Sequence, residues 1–233
     1  GASSKHWRKN LNYFVKRNYA TYSMDLIGFG NSDQPGIREI EKLHNGVWCN
    51  QVKDFINQVI RPKNSKKVIL IGNSLGALVA LTCAVAIGNE IAAVIASPLP
   101  DQIQKNSPKL VVNPFLKSLK NKFIKLFFIF LPLEVILFLI TKLGIIKAGL
   151  KAAYFKKDNI DYELIDIVRK PVLRNTSSRS LRAMCIGMIT RENNLKASYL
   201  LSKLSRSKNV PFLLIWGDKD NFTPLFLGKK IAN

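Results

Sequence analysis

The sequence predicts an α/β protein: a doubly wound, mostly parallel sheet interrupted by a long helical insert. Three observations predict it. Short, wholly apolar runs at 68–71, 91–96 and 211–216 have the pattern of strands covered on both faces. Helical stripes alternate with the first two of these runs, the β-α-β-α-β order of a doubly wound sheet. From Pro98 to about residue 208 the periodicity turns helical, lysines become frequent and no parallel-sheet strand can be read.

In chain order, residues 5–16 place Trp7, Leu11, Phe14 and Val15 at spacings of three to four, which predicts an amphipathic helix. Residues 19–27 alternate loosely and are β-prone, then break at Gly28 and Gly30. Residues 46–60 carry a second helical stripe through Val47, Val52, Phe55, Ile56 and Val59. Strand 68–71, a small-residue helix over 75–87 and strand 91–96 follow. Within the insert, residues 123–146 read FIKLFFIFLPLEVILFLITKLGII. A spanning helix needs about 20 nearly uncharged residues, and Lys125, Pro132, Glu134 and Lys142 interrupt this run. Two adjoining apolar helices hinged at Pro132 are expected, as the core of a lid, the lining of a greasy channel or a surface that docks on a bilayer. The expected organisation is a core over 1–98, a helical lid or cap over 99–208, and a return strand with an acid loop over 209–233.

A chain of 233 residues can bury a substantial core, and 47% hydrophobic against 22% charged residues describes a folding chain. The net charge of +21 would point first to nucleic acid. Yet the basic residues are mostly lysines scattered singly, without interleaved aromatics or compact arginine runs. Nucleic acid is therefore not the expected partner. A general lysine bias, or attraction to an anionic membrane surface, explains the charge better. Cys49, Cys83 and Cys185 are too widely spaced for a disulfide framework or a metal motif, and fit a reducing compartment. The expected location is cytoplasmic, with association to a thylakoid or inner-membrane surface.

Three stretches carry chemistry. In KVILIGNSLGALVA (67–80), Gly72-Asn73-Ser74-Leu75-Gly76 fits G-x-S-x-G between a strand and a helix. That turn exposes Ser74 at the carboxyl edge of the sheet. The helix N-terminus behind it favours developing negative charge, with the Leu75 N–H as one oxyanion donor. Next, Trp216-Gly217-Asp218-Lys219-Asp220, followed by Pro224, puts an acid just past a late strand, where a histidine-orienting carboxylate belongs. Spacing alone allows Asp218 or Asp220. Finally, Asp25-Leu26-Ile27-Gly28-Phe29-Gly30-Asn31-Ser32-Asp33 lacks the third glycine and the immediate helix of a dinucleotide site. A tight loop lining the top of the sheet is expected instead, with Gly28, Phe29 and Asn73 as substrate-pocket candidates. No phosphate loop or metal cluster is present in the sequence, so neither a cofactor nor a metal is implied.

Through DLIGFGNSDQP (25–35), VILIGNSLGA (68–77) and VPFLLIWGDKDNFTP (210–224), in that order and spacing, the chain resembles the α/β-hydrolase family over its whole length. The resemblance implies Ser74 as nucleophile and places the acid on Asp220, leaving Asp218 as a turn residue. It also sets Ser74 apart from the haloalkane and epoxide hydrolases of the same fold, which carry an aspartate at this elbow. A narrower resemblance, through GASSKHWR (1–8), GNSLGA (72–77) and AYFKKDNIDYELIDIVRKPVL (153–173), is to the pheophytinase-like and chlorophyll dephytylase-like hydrolases of plants and cyanobacteria. It implies hydrolysis of a long-chain isoprenoid ester of a tetrapyrrole.

A nucleophilic serine needs a base, and the two histidines, His6 and His44, both precede it. In the resembled family the base follows one further strand beyond the acid, so it is expected beyond Asn233, with the second oxyanion donor just before Gly1. The chain reads as a segment of a longer reading frame. His6 is expected to pack or to line a cleft, and His44 to sit solvated in a loop. The expected partner is a small apolar ester, and no oligomer signal is read. The alternatives are a non-catalytic relative that binds a lipid or pigment, and a basic peripheral membrane protein.

Overall fold

Val68, Ile69 and Ile71, then Ile91, Ala92, Ala93 and Val94, are β-branched or small residues that pack on a pleated surface and leave few rotamers to freeze. In the computed structural model, which describes residues 3–63, 66–101, 114–142, 144–207 and 209–232, they form β1 (Val68–Asn73) and β2 (Ile91–Ser97). With β3 (Phe212–Leu214) they make a three-stranded parallel sheet in the order β1-β2-β3. Ile71 pairs with Ile95, and Ile95 with Leu213, which sets the register at the carboxyl ends of all three strands.

The sheet belongs to a unit made of Leu43–Lys125 and Gly187–Asn233. Its helices are α2 (Asn45–Phe55), α3 (Leu75–Ala86), α9 (Ala197–Ser207), α10 (Leu225–Ala232) and parts of two others given below. Helix α3 is apolar on nearly every side, and residues 77–84 are all buried, as expected of a helix enclosed by other elements. Its neighbours are β1, β2, α2 and α9. The inward face of α2 is Asn45, Trp48, Cys49, Val52 and Ile56. The buried amide of Asn45 donates to the Thr82 hydroxyl (2.8 Å) and to the Leu195 carbonyl (2.9 Å). This ties α2 to α3 and to the turn before α9. Helix α2 is prolonged by a π turn, Ile56–Ile60, closed by the Arg61 N–H on the Ile56 carbonyl (2.9 Å). Arg61 itself pairs with Glu90 at 3.2 Å.

The second unit, Gly1–Lys42 and Leu126–Ile186, is helical. It holds α1 (Arg8–Val15), α5 (Leu133–Lys142), α6 (Ile145–Ala153) and α7 (Tyr162–Val172). Helices α4 (Pro114–Phe130) and α8 (Ser177–Thr190) contribute residues to both units. Helices α4 and α5 meet at Pro132 with a bend of 52°. Proline lacks an N–H and pushes Leu131 out of the helical region, which ends α4 there. The carbonyls left open accept from α8: the Arg182 guanidinium donates to Phe128 (2.6 Å) and Leu131 (3.0 Å) and pairs with Glu134 at 3.2 Å. Arg8 binds Asp161 and Glu163, each at 2.8 Å, joining α1 to the start of α7, where Asp161 also caps the Leu164 N–H (2.7 Å).

Three expectations change. Strands β1 and β3 are not covered on both faces, since Ile69, Ile71 and Leu213 are exposed. Residues 19–27 form no strand, and Tyr19 and Tyr22 are exposed. Strand identity rests on a paired edge rather than on propensity, and no ladder reaches this stretch among the described residues. The first predicted helix begins as a 3-10 turn (Ser4–Trp7), and only Trp7, Leu11 and Phe14 of its stripe are half-buried, while Val15 is exposed. The first part of the expected insert (102–113), the ends of the GASSKHWR match (Gly1, Ala2) and Asn233 lie outside the described residues. Among the described residues no single helix is long and apolar enough to cross a membrane.

Candidate active site

Asn73 ends β1 and Leu75 begins α3, so the whole reversal falls on Ser74, at φ 52° and ψ −116°. Only two non-glycine residues among those described have positive φ, Asn18 and Ser74. Such a conformation costs on the order of 1–3 kcal/mol and persists only when its surroundings impose it. Here they do. The Ser74 N–H donates to the Ser97 carbonyl at the end of β2 (2.8 Å), and the Ser74 carbonyl accepts the Leu78 N–H in the first turn of α3 (3.1 Å). The hydroxyl takes no part in capping α3 and remains available.

The two glycines of the motif have different roles. A Cβ at Gly72 would lie 2.2 Å from the Gly76 carbonyl oxygen and 2.5 Å from the Ala77 nitrogen. Gly72 therefore lets α3 start directly against β1. A Cβ at Gly76 would meet nothing within 4 Å. The Leu75 N–H is among the first of α3, which have no carbonyl four residues earlier within the helix. It can donate to an oxyanion formed at Ser74, aided by the helix dipole. Asn73 is exposed beside it.

Asp220 stands beyond the carboxyl end of β3, two strands from β1, which corresponds to a lateral offset of about 10 Å. Its carboxylate closes its own turn. One oxygen accepts the N–H groups of Phe222 and Thr223 (both 2.8 Å), and the other accepts the Thr223 hydroxyl (2.7 Å). Partial burial pulls its pKa upward, but the bonds from Thr223 and Phe222 outweigh it and hold the carboxyl below the ordinary range. Asp220 is thus a fixed anion. Asp218 is exposed. Asp101, beyond the end of β2, is differently engaged: it is paired with Arg191 and accepts the Ala197 N–H (2.9 Å) at the start of α9.

The Asp220 turn is anchored by Trp216 and Gly228, neither of which is among the candidates above. The Trp216 indole N–H donates to the Thr223 carbonyl (2.6 Å), and its ring lies where a Cβ at Gly228 would come within 2.7 Å. Trp216 therefore clamps the turn between β3 and α10. The signal lies in WGDKDNFTP, whose tryptophan stands at the end of the apolar run 211–216.

Ser74, Leu75, Asn73 and Asp220 belong to the sheet unit, whereas Gly28 and Phe29 belong to the helical one. Their loop is tight. Gly28 (φ 93°) and Gly30 (φ 54°) are left-handed, and the Gly28 N–H reaches the Asp33 carbonyl at 2.7 Å. Asp25 folds beneath Gly30 so closely that a Cβ there would lie 2.2 Å from its carboxyl carbon. Arg174 donates to the carbonyls of Gly30 (2.9 Å) and Ser32 (2.8 Å). The buried Gln34 amide fixes the next residues to Pro171 (3.3 Å) and Thr176 (2.6 Å).

Both histidines are engaged. His6 Nε2 meets the Tyr154 hydroxyl at 3.0 Å in the helical unit; burial and then Arg8 lower its pKa. His44 departs from the solvated-loop expectation: it is the N-cap of α2, its Nδ1 accepting the Gly46 N–H at 3.1 Å. The three cysteines are free. Among the described residues no three His, Cys, Asp or Glu side chains gather where they could hold a metal ion.

The fold is shared with known proteins. The profile of the family described as serine aminopeptidase, S33, matches residues 1–231. The uncharacterised hydrolase YugF of Bacillus subtilis (strain 168) is 22% identical over 218 residues, 93% of this chain and 69% of that protein. Among solved structures, an α/β-hydrolase fold protein from Burkholderia ambifaria superimposes with a TM-score of 0.64 at 16% identity, over 99% of this chain and 74% of that one. A thermophilic esterase from Thermogutta terrifontis gives a TM-score of 0.64 at 16% identity, over 99% and 73%. At these identities the structural likenesses establish the fold. The family profile covers nearly the whole chain, and the chain belongs to the α/β-hydrolases, in the family described as serine aminopeptidase, S33.

Proposed function

We propose that the protein hydrolyses carboxylic esters with an apolar portion, using Ser74 as nucleophile. The observation that carries this reading is the backbone of Ser74, held at positive φ by Ser97 and Leu78 with its hydroxyl uncommitted. Imposed backbone strain of this kind clusters at functional sites. In the reaction Ser74 Oγ attacks the ester carbonyl, and the Leu75 N–H takes up charge on the carbonyl oxygen. Collapse expels the alcohol and leaves an acyl-serine, which water then cleaves. Asp220, held ionised by its own turn, orients and stabilises an imidazolium. His44 is committed to capping α2 and His6 is bound to Tyr154, so neither is assigned the role of imidazole base. The ester bond is preferred over the amide because the resemblance at 1–8, 72–77 and 153–173 is to enzymes of phytyl esters. Long apolar alcohols also suit the apolar helices of 123–146, read as a lid.

The engagement of both histidines favours one second reading, a non-catalytic relative that binds a lipid or pigment. A fluorophosphonate probe applied to the protein separates the two. Labelling that disappears in Ser74→Ala, with ester hydrolysis lowered roughly ten-thousandfold in Asp220→Asn, supports the enzyme. An unlabelled Ser74 in folded protein leaves the binding reading.

A further inference from the structure

Helices on a protein surface normally turn a polar face to water. In the helical unit the end of α4 and all of α5 do the reverse. Phe127 and Phe130 are 61% and 79% exposed, and Val135, Phe138 and Leu139 form an outward stripe on α5 at 56%, 59% and 43%. The buried side of α5 is marked by Leu133. Scattered exposed apolar residues need no explanation, but a contiguous run of this kind marks an interaction surface.

Its charge says what the surface fits. Residues 126–156 hold four lysines, Lys142, Lys147, Lys151 and Lys156, against one acid, Glu134. That acid is consumed by Arg182, which holds its carboxyl below the usual range. Lys142 closes the apolar stripe of α5 with its ammonium 5.7 Å from the Phe138 ring centroid, an apolar stem with a cationic tip beside it. Lys142 and Lys147 also line a cleft of about 1000 Å³ whose other charged walls are Lys5, Arg169, Lys170 and Arg174 against Asp25, Glu163 and Asp166, the last paired with Lys170 at 3.0 Å. Apolar side chains bordered by cations, with a basic cleft beside them, are complementary to acyl chains beneath anionic headgroups.

We infer that the α4–α5 bend and the start of α6 form a docking surface for an anionic lipid bilayer, lying in its interface without crossing it. The 17 residues of α4 and 10 of α5 extend about 25 and 15 Å, short of a hydrocarbon core of about 30 Å. Arg182 pins the two helices at their bend and keeps them from joining into one span. Acyl chains receive Phe127, Phe130 and Phe138, and headgroup phosphates receive Lys142 and Lys147. The inference is independent of the chemistry at Ser74.

Flotation with phosphatidylcholine vesicles, with and without phosphatidylglycerol, tests it on the full chain. Binding is expected to the anionic vesicles and to weaken with salt. The double variant Phe130→Ser/Phe138→Ser, whose side chains are already exposed, keeps its circular dichroism and thermal transition and loses on the order of a hundredfold in partitioning. Lys142→Gln/Lys147→Gln loses on the order of tenfold, on anionic vesicles only. The inference is overturned by no binding to anionic vesicles, by binding that the phenylalanine substitutions leave intact, or by chains that associate with each other through this face and ignore vesicles. Free phosphate competing as well as vesicles would reassign the cleft to a soluble anion and overturn the bilayer docking.

Discussion

Ser74 and Gly72 divide the work of one turn, one taking the strained backbone and the other the close approach. Replacing Ser74 by glycine relieves the positive φ and is expected to stabilise the fold by about 1 kcal/mol in urea unfolding while abolishing probe labelling. A stabilising change that destroys function marks a strained site. Gly72→Ala acts oppositely: its Cβ would lie 2.2 Å from the Gly76 carbonyl, so a loss of more than about 3 kcal/mol is expected. For Asp220, the folded carboxyl titrates below its unfolded value of about 4. Its contribution to stability is therefore complete above that pH and is lost as pH falls through the lowered folded value. Asp220→Asn should flatten this part of an acid unfolding curve. These residues were legible because their chemistry is local: a pentapeptide fixes the elbow, and the acid closes a turn on residues two and three positions ahead. The cap at His44 is not legible in the sequence, for a related reason. Its cap bond reaches only two residues, but a histidine ahead of a helix gives no sign of which ring nitrogen faces the chain.

At the scale of elements, strand β2 and helix α3 were readable because enclosure leaves an unbroken apolar composition, and β1 shares that composition although its Ile69 and Ile71 are exposed. The stretch 19–27 has the composition of a strand without the pairing, and pairing is a property of a neighbour. The hinge at Pro132 was readable, but its anchor was not, since Arg182 lies 51 residues beyond Leu131. Arg182→Met, which keeps the apolar stem, leaves α4 carbonyls and Glu134 without their cation and is expected to cost about 2 kcal/mol. Amide exchange should then quicken around residues 127–136 before it changes in β1 or β2. Gly228→Ala forces its new methyl against the Trp216 ring, 2.7 Å away, and should loosen the Asp220 turn, read as a red shift of tryptophan emission.

For the molecule as a whole, the net charge of +21 opposes compaction through self-repulsion. Screening shortens the reach of that repulsion to about 8 Å at physiological ionic strength. The melting temperature should rise as sodium chloride is added from low concentration; a flat response would show that the ion pairs of Arg8, Arg61, Arg179 and Arg191 already balance it locally. The family and the fold were readable across the whole chain from three motifs. The outward apolar face of α5 was not, because periodicity shows that a helix has a stripe and leaves open whether the stripe faces a core or the outside.

The π turn that prolongs α2 bears on how this chain can change length. A π turn absorbs one surplus residue while the helix before it and the chain after it keep their facing. Removing Gln58, which is exposed, should return 56–60 to regular pitch with Ile56 still buried and Arg61 still opposite Glu90. Removing Gln51 instead would swing Val52 and Ile56 about 100° off the core. One end of this helix is where evolution can add or drop a residue without rewriting its interior.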